Sequence, residues 1–153
     1  MRTSKRSPRE WRMLTATCFP VARLLVGTRL RLNRKGFSSA KVYAERRTLT
    51  GPGSPLKPDD IAVVVHRIAN IRPSVFDCLP RSLTLWCLLN RNGHRAELKI
   101  GALPRIGSGD SELKAHAWVE LNGERLGERD SPEAFVELPL RANQLPNIAR
   151  IRN

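Results

Sequence analysis

The sequence is poor in aromatic side chains and in cysteine, and it has no long apolar run. Aromatic residues make up 5% of the 153 residues, and neither a basic-aromatic ribonucleoprotein motif nor zinc-finger spacing occurs. Three cysteines without a CxxC pair argue against a disulfide framework and against a zinc site. No apolar run approaches the roughly 18 to 20 residues that span a bilayer, and the basic start lacks the apolar segment of a secretory signal. We therefore expect a cytoplasmic protein without a transmembrane segment, a metal, another cofactor or a nucleic-acid partner.

Acidic side chains are also scarce, and the excess of positive charge is uneven. The formal net charge is +13. Residues 1–60 hold 14 lysines and arginines against 4 acidic residues, whereas residues 61–153 hold 13 against 10. This pattern predicts a basic segment attached to a nearly neutral body. Composition leaves two interpretations open: a surface for an acidic partner, or a solvated arginine-rich face without one.

The clearest linker signal is the segment from Gly51 to Pro55, which has two glycines and two prolines in five residues. It predicts a basic helical N-terminal segment with its linker over residues 1–55 and a second domain over 56–153. Within the first part, apolar residues of 9–34 recur at helical spacing, with a break expected at Pro20. Gly36 is expected to stop this helical stretch before a further short helix over 38–49.

The second part predicts an α+β fold. Ala96, Leu98, Ile100 and Ala102 alternate with charged residues, as in a half-buried strand, and Asn122-Gly123 is typical of a hairpin turn. Asp77 or Ser74 can cap the helix predicted over 78–91, and Pro80 fits the first turn of that helix. The predicted elements are helices over 59–70 and 78–91, strands over 95–102, 114–121 and 124–129, and a loop over 103–113.

Cys78 lies at the predicted start of a helix, and His116 lies on a predicted strand. A thiol attacks as thiolate, which the positive end of a helix dipole favours, and a histidine on a neighbouring strand can hold the proton. The structural alternative applies to each residue alone, because most cysteines serve packing and exposed histidines are common. Order along the chain favours catalysis: cysteine at a helix start, histidine on a strand and an acid on the next strand is the arrangement of transglutaminase-like and papain-like thiol enzymes.

The other cysteines and histidines are weaker candidates. Cys87 lies nine residues beyond Cys78, about 13 Å along the helix axis and on its opposite side. Cys87 and Cys18 are therefore expected to be small apolar fillers. His66 falls in a helix without a cysteine, and His94 follows a helix-stop glycine.

The hairpin register decides which residue faces His116. With a two-residue loop, Leu121 pairs with Glu124 and His116 faces Arg129. With a three-residue loop, His116 lies opposite Glu128, and Asp130 is a diagonal neighbour. A carboxylate there would orient the imidazole and stabilise its cation. Glu120 shares the face of His116 but lies about 13 Å away.

Three blocks carry a resemblance to a known family. They are DCLPRSLTLWCLL from Asp77, GHRAELKIG from Gly93, and AHAWVE from Ala115, followed by Gly123. At this separation they resemble the leader peptidases of lasso peptide biosynthesis, which are transglutaminase-like cysteine proteases. The resemblance covers about residues 60–138, and the basic, leucine-rich N-terminal helices also suit this family.

The resemblance implies a fold and an activity. The fold would be α+β: basic N-terminal helices, then a transglutaminase-like or papain-like core with the cysteine at a helix N-terminus packed on a small antiparallel sheet. The activity would be cleavage of the leader from a ribosomally made precursor before cyclisation. Cys78 would be the nucleophile, His116 the general base and Glu128 the orienting acid, a position where the family usually has aspartate.

The resemblance also implies partners. The chain lacks an evident leader-recognition domain of the small winged-helix kind, as in the split form of the family. The expected partners are the precursor peptide, a separate small leader-binding protein and an asparagine-synthetase-like cyclase. Two other hypotheses remain: a transglutaminase-like amide transferase or deamidase that uses the same thiol, and a basic binding module for RNA or membrane in which Cys78 is inert.

Overall fold

The computed structural model describes residues 8–46, 56–102, 115–127 and 135–138, with side chains from residue 18 onward. The elements are α1 (Pro8–Arg46), α2 (Pro58–Ala69), α3 (Cys78–Arg91), β1 (Ala96–Ala102), β2 (Ala115–Leu121), β3 (Glu124–Arg125) and β4 (Val136–Glu137). The strands form one antiparallel sheet in the order β3-β2-β1-β4. The predicted α+β class is therefore confirmed.

Helix α1 bends at Gly36 and not at Pro20. The predicted break at Pro20 is wrong, because the helix continues through it. A proline inside a helix costs about 3 kcal/mol, but the turn that follows buries Val21, Leu24 and Leu25 in the core. The predicted stop at Gly36 is confirmed by its φ of 76°, a conformation that favours glycine.

The two halves of α1 lie against each other. A Cβ atom at Gly27 would collide with the Tyr43 ring, so the close approach requires glycine there. The Arg31 guanidinium covers the same ring at 4.1 Å from its centroid. The basic segment is therefore a folded helical hairpin.

A single hydrophobic core joins α1 to the rest of the chain. The proposed boundary after residue 55 stays a prediction, since the linker 51–55 lies outside the described residues. The α1 side chains in this core include Val21, Leu24, Leu32, Ala40 and Ala44. They pack with residues of the other elements: Ile61, Val64 and Val65 of α2, Leu83 and Leu88 of α3, and Leu98, Ile100, Ala117 and Val119 of the sheet.

Helix α3 is the central element. One buried face was expected, but its buried residues surround most of the helix, from Leu79 to Leu89. The reason is its position: α3 contacts α1 and α2 as well as β1 and β2. The start of this helix at Cys78 and the presence of Pro80 in its first turn are as predicted.

The β2–β3 hairpin has a two-residue turn. Leu121 pairs with Glu124, and Asn122 and Gly123 have φ values of 53° and 82°. Both central residues of such a turn need positive φ, which asparagine and glycine tolerate best. The alternative of a three-residue loop is therefore wrong. Strand β3 ends at Arg125, four residues before its predicted end, and β4 was not predicted.

Candidate functional site

Cys78 is the first residue of α3, and its surroundings differ from an ordinary helix start. Asp77 occupies the N-cap position with extended backbone but makes no side-chain capping bond. One donor that such a cap uses is the N–H of the third helical residue, and here that residue is Pro80, which has none. The expected capping role of Asp77 is therefore not observed. The N–H groups of Cys78 and Leu79 have no acceptor within the helix.

The Asp77 carboxylate pairs with α1 instead. Its Oδ2 atom accepts a hydrogen bond from Nη1 of Arg29 at 3.1 Å, whereas its Oδ1 atom is buried and has no hydrogen-bond partner. Burial raises the pKa of Asp77 above its usual value, and the nearby Arg29 and Arg81 guanidinium groups partly oppose this effect. The helix that carries Cys78 is thus fastened to α1 by a half-buried ion pair.

His116 lies near the start of β2 among aromatic rings. Its ring stacks on Trp118, with centroids 6.1 Å apart, and meets Phe135 at 5.3 Å. Phe135 directly precedes β4, which is held on β1 by the Leu138 N–H donating to the Ile100 carbonyl at 2.8 Å. The unpredicted strand β4 therefore holds Phe135 against one side of the His116 imidazole.

Trp118 is buried, although it lies on the strand face that was expected to be polar. A side chain at Gly101, which pairs with His116 across the two strands, would press against the indole ring, so glycine allows the indole to cover β1. The indole N–H donates to Oε1 of Glu120 at 2.7 Å, and the Arg125 guanidinium covers the ring at 4.3 Å. The Glu120 carboxylate is thus paired with the Trp118 indole and lies 3.9 Å from the Arg125 guanidinium.

One pocket brings the two candidate residues together. Cys78 and His116 both line it, within the wall segments 77–80 and 115–117. Cys78 is a free, half-buried thiol at this surface. Ile100 supplies part of the wall from β1, and Arg29 and Leu32 supply part from α1.

The contribution of α1 to this pocket was not predicted. The helical spacing of its apolar residues indicated a buried stripe, but spacing does not tell which element the stripe covers. Arg29 is placed one turn before the buried Leu32, at the edge of that stripe. The position of Arg29 beside this stripe is the signal in the sequence that could have indicated its place in the pocket.

The third residue of the predicted site, Glu128, lies outside the described part of the chain, as does its alternative Asp130. The two-residue turn removes the register that would place Glu128 opposite His116. Gly127, the last described residue before this segment, has a φ of 81°, and a side chain there would collide with His66. The role of Glu128 or Asp130 therefore stays a prediction.

The remaining cysteines and histidines have other surroundings. Cys87 is buried in the core, as predicted, and its thiol donates to the Ala44 carbonyl at 2.8 Å. Burial raises the pKa of Cys87 to about 11, so this thiol is a poor nucleophile. The filler role expected for Cys18 is wrong, because Cys18 is exposed. Nε2 of His94 lies 3.2 Å from the Leu56 carbonyl.

Within the ranges that the structure describes, no three His, Cys, Asp or Glu side chains cluster as metal ligands would. In those same ranges, no helix combines the length and the apolar character needed to cross a bilayer.

Cysteine at a helix start and histidine on an antiparallel strand, at one pocket, is the arrangement that the sequence predicted for a thiol enzyme. Comparison of the sequence with protein families agrees: residues 22–139 match the Transglutaminase-like superfamily, and the chain belongs to it. Proteins of this superfamily are generally cysteine-dependent enzymes, which indicates cysteine protease or amide transferase chemistry. Neither the curated proteins nor the solved structures gave a significant match.

Proposed function

We propose that this protein is a cysteine peptidase that removes the leader from a ribosomally made lasso peptide precursor. The observation that carries the proposal is the shared pocket of Cys78 and His116 in a chain of the Transglutaminase-like superfamily. The finer choice of substrate rests on the three sequence blocks that resemble the leader peptidases.

The proposed reaction is acyl transfer to the thiol. Cys78 gives its proton to His116, and Sγ attacks the scissile carbonyl to form a tetrahedral intermediate. His116 then protonates the leaving amine as the C–N bond breaks. Water, deprotonated by His116, attacks the thioester, and the leader leaves with a free carboxylate while the thiol is regenerated.

The start of α3 suits the oxyanion of this reaction. The Cys78 N–H is the first of the helix and has no acceptor within it, so it can donate to the developing negative charge. The helix dipole adds to this stabilisation. The third member of the site, Glu128 or Asp130, would orient the imidazole and stabilise its cation.

The proposed partners are those that the resemblance to the leader peptidases implies. A separate small leader-binding protein would present the precursor, and an asparagine-synthetase-like cyclase would close the ring after cleavage in the cytoplasm. No cofactor enters the proposed chemistry, and no nucleic-acid partner is expected.

The test is cleavage of the precursor by purified protein in the presence of the leader-binding protein, followed by mass spectrometry. We expect Cys78→Ala to abolish cleavage while the protein stays folded. The matched controls Cys87→Ala and Cys18→Ala should keep most of the activity, because one thiol is in the core and the other is outside the pocket. Unchanged cleavage by Cys78→Ala would overturn the proposal.

A primary amine added to the same assay separates the two chemistries of the superfamily. Leader release without incorporation of the amine supports the peptidase. A gain in precursor mass that corresponds to the amine, without leader release, would instead support an amide transferase.

A further inference from the structure

A buried hydrogen bond joins the helix of Cys78 to the strand of His116. The Ser82 hydroxyl of α3 donates to the Ala117 carbonyl of β2 at 2.7 Å. Ser82 is 5% exposed and Ala117 is 2% exposed, so water does not compete for this bond. A buried serine on an otherwise apolar helix face needs such a partner, and here the partner is the peptide next to His116.

The place of this bond in the sheet explains why β2 accepts it. The Leu126 N–H donates to the Val119 carbonyl at 2.9 Å, so the edge of β2 that faces β3 carries the carbonyls of alternate residues, Ala117 among them. Strand β3 ends at Arg125. Among the residues that the structure describes, the donor to the Ala117 carbonyl is Ser82 of α3 and not a strand N–H.

Helix geometry relates this bond to Cys78. Ser82 follows Cys78 by four residues, so the two side chains lie one turn apart on the same face of α3, about 6 Å along the axis. Ala117 follows His116 directly. The bond therefore connects α3, one turn after Cys78, to the β2 backbone next to His116.

We infer that Ser82 is a positioning residue, which sets the distance and angle between Cys78 and His116 by holding β2 against the first turns of α3. Ser82 is buried and touches no substrate, so it acts through the two pocket residues. The inference rests on the proposed function for its catalytic meaning. A misplacement of about 1 Å is enough to lower a rate roughly a hundredfold.

The chain offers a matched control for the loss of a buried hydroxyl. Thr84 lies on the same helix, is fully buried, and its Oγ1 atom has no hydrogen-bond partner. Thr84→Val removes a hydroxyl of the same kind without breaking a recorded bond. Ser82→Ala removes the bonded hydroxyl, and Ser82→Thr keeps a hydroxyl at that position.

The first readout is alkylation of Cys78 by iodoacetamide across pH, quantified for the Cys78 peptide by mass spectrometry, and it needs no precursor. His116→Ala gives the profile of a thiol without its imidazole. We expect the alkylation profile of Ser82→Ala to shift from the wild-type profile toward the profile of His116→Ala. Ser82→Thr and Thr84→Val should keep the wild-type profile. A Ser82→Ala profile identical to wild type would overturn the inference.

The second readout is precursor cleavage. We expect Ser82→Ala to lower kcat at least about tenfold with KM within about twofold of wild type, because positioning affects the chemical step. A raised KM with unchanged kcat would contradict a positioning role. If Ser82→Ala does not fold, Ser82→Cys, a weaker donor, undergoes the same two measurements with the same criteria.

The two proposals fail separately. If wild-type protein alkylates with an imidazole-dependent profile that Ser82→Ala disrupts, but does not cleave the precursor, the substrate assignment is wrong and the role of Ser82 stands. If Cys78 is required for cleavage but Ser82→Ala matches wild type in both readouts, only the role of Ser82 is wrong.

Discussion

Asp77 occupies the N-cap position of α3, but its carboxylate pairs with Arg29 of α1. A side-chain cap stabilises a helix by roughly 0.5–2 kcal/mol, and α3 does without it. Pro80 removes one of the usual donors, and Arg29 engages the carboxylate. The consequence is local, because the ion pair attaches α1 next to the nucleophile.

Removal of the Arg29 charge is expected to destabilise the protein in a pH-dependent way. Arg29→Met leaves the half-buried Asp77 carboxylate without its counter-charge, at a cost of roughly 1–3 kcal/mol in the free energy of unfolding at pH 7. Arg29 lowers the pKa of Asp77, which burial raises, so its loss raises that pKa further. As pH falls through this pKa the carboxyl becomes neutral and the penalty shrinks.

Urea unfolding of Arg29→Met and wild type at pH 7 and at pH 4 measures this difference. Arg34→Met, on an exposed position of the same helix, is the control and should change stability by less than about 0.5 kcal/mol. An equal loss for Arg29→Met at both pH values would mean that packing of the arginine stem, and not its charge, stabilises the protein.

Among the elements, the hairpin determines where an orienting acid can come from. The observed register, continued along β2, would place Arg129 opposite His116, but Gly127 has left-handed backbone where the described ladder ends. Glu128 and Asp130 flank Arg129 in sequence. A carboxylate from this segment can reach the imidazole only if the chain leaves the regular ladder.

We therefore expect one of two substitutions, Glu128→Gln or Asp130→Asn, to slow cleavage by on the order of 10²- to 10⁴-fold. The reason is loss of the charge that stabilises the imidazolium. Glu120→Gln should have little effect, because a glutamine oxygen can still accept the Trp118 N–H. The measurement is the single-turnover rate of precursor cleavage for the three variants. A dominant effect of Glu120→Gln, with the other two near wild type, would contradict this assignment.

The elements that carry Cys78 and His116 could be predicted because each has a strong local signal. Cys78 precedes a helical apolar pattern with Pro80 in its first turn, and β1 and β2 alternate apolar and polar residues. The features that the sequence did not predict correctly are those that tertiary contacts determine. The core residues after Pro20 keep α1 continuous, β4 forms on two residues that have no periodicity, and Arg29 reaches the pocket through packing of α1 on α3.

At the scale of the whole molecule, α1 has two different sides. One side supplies core residues, so a deletion of residues 1–50 would remove part of the core and cannot test a recruiting role. The other side is exposed, and most of its charged residues are basic. Its exposed basic residues are Arg23, Arg31, Arg34, Lys35 and Arg46, and Glu45 is the single acidic residue among the described side chains of α1.

This basic side permits a test that leaves the core intact. We expect Arg23→Glu combined with Arg34→Glu to raise the precursor concentration needed for half-maximal cleavage several-fold at low salt, with the leader-binding protein present and kcat unchanged. The reason is loss of electrostatic attraction between α1 and an acidic partner surface, which acts on association more than on chemistry.

Salt dependence identifies the cause of such an effect. The Debye length falls from about 10 Å at 0.1 M to about 3 Å at 1 M salt, so the difference between the double variant and wild type should fade over that range. Arg72→Glu, an exposed arginine between α2 and α3, reverses a charge away from α1 and is the control. If the double variant matches Arg72→Glu and wild type at every salt concentration, the basic side of α1 is a solvated arginine-rich face that recruits nothing.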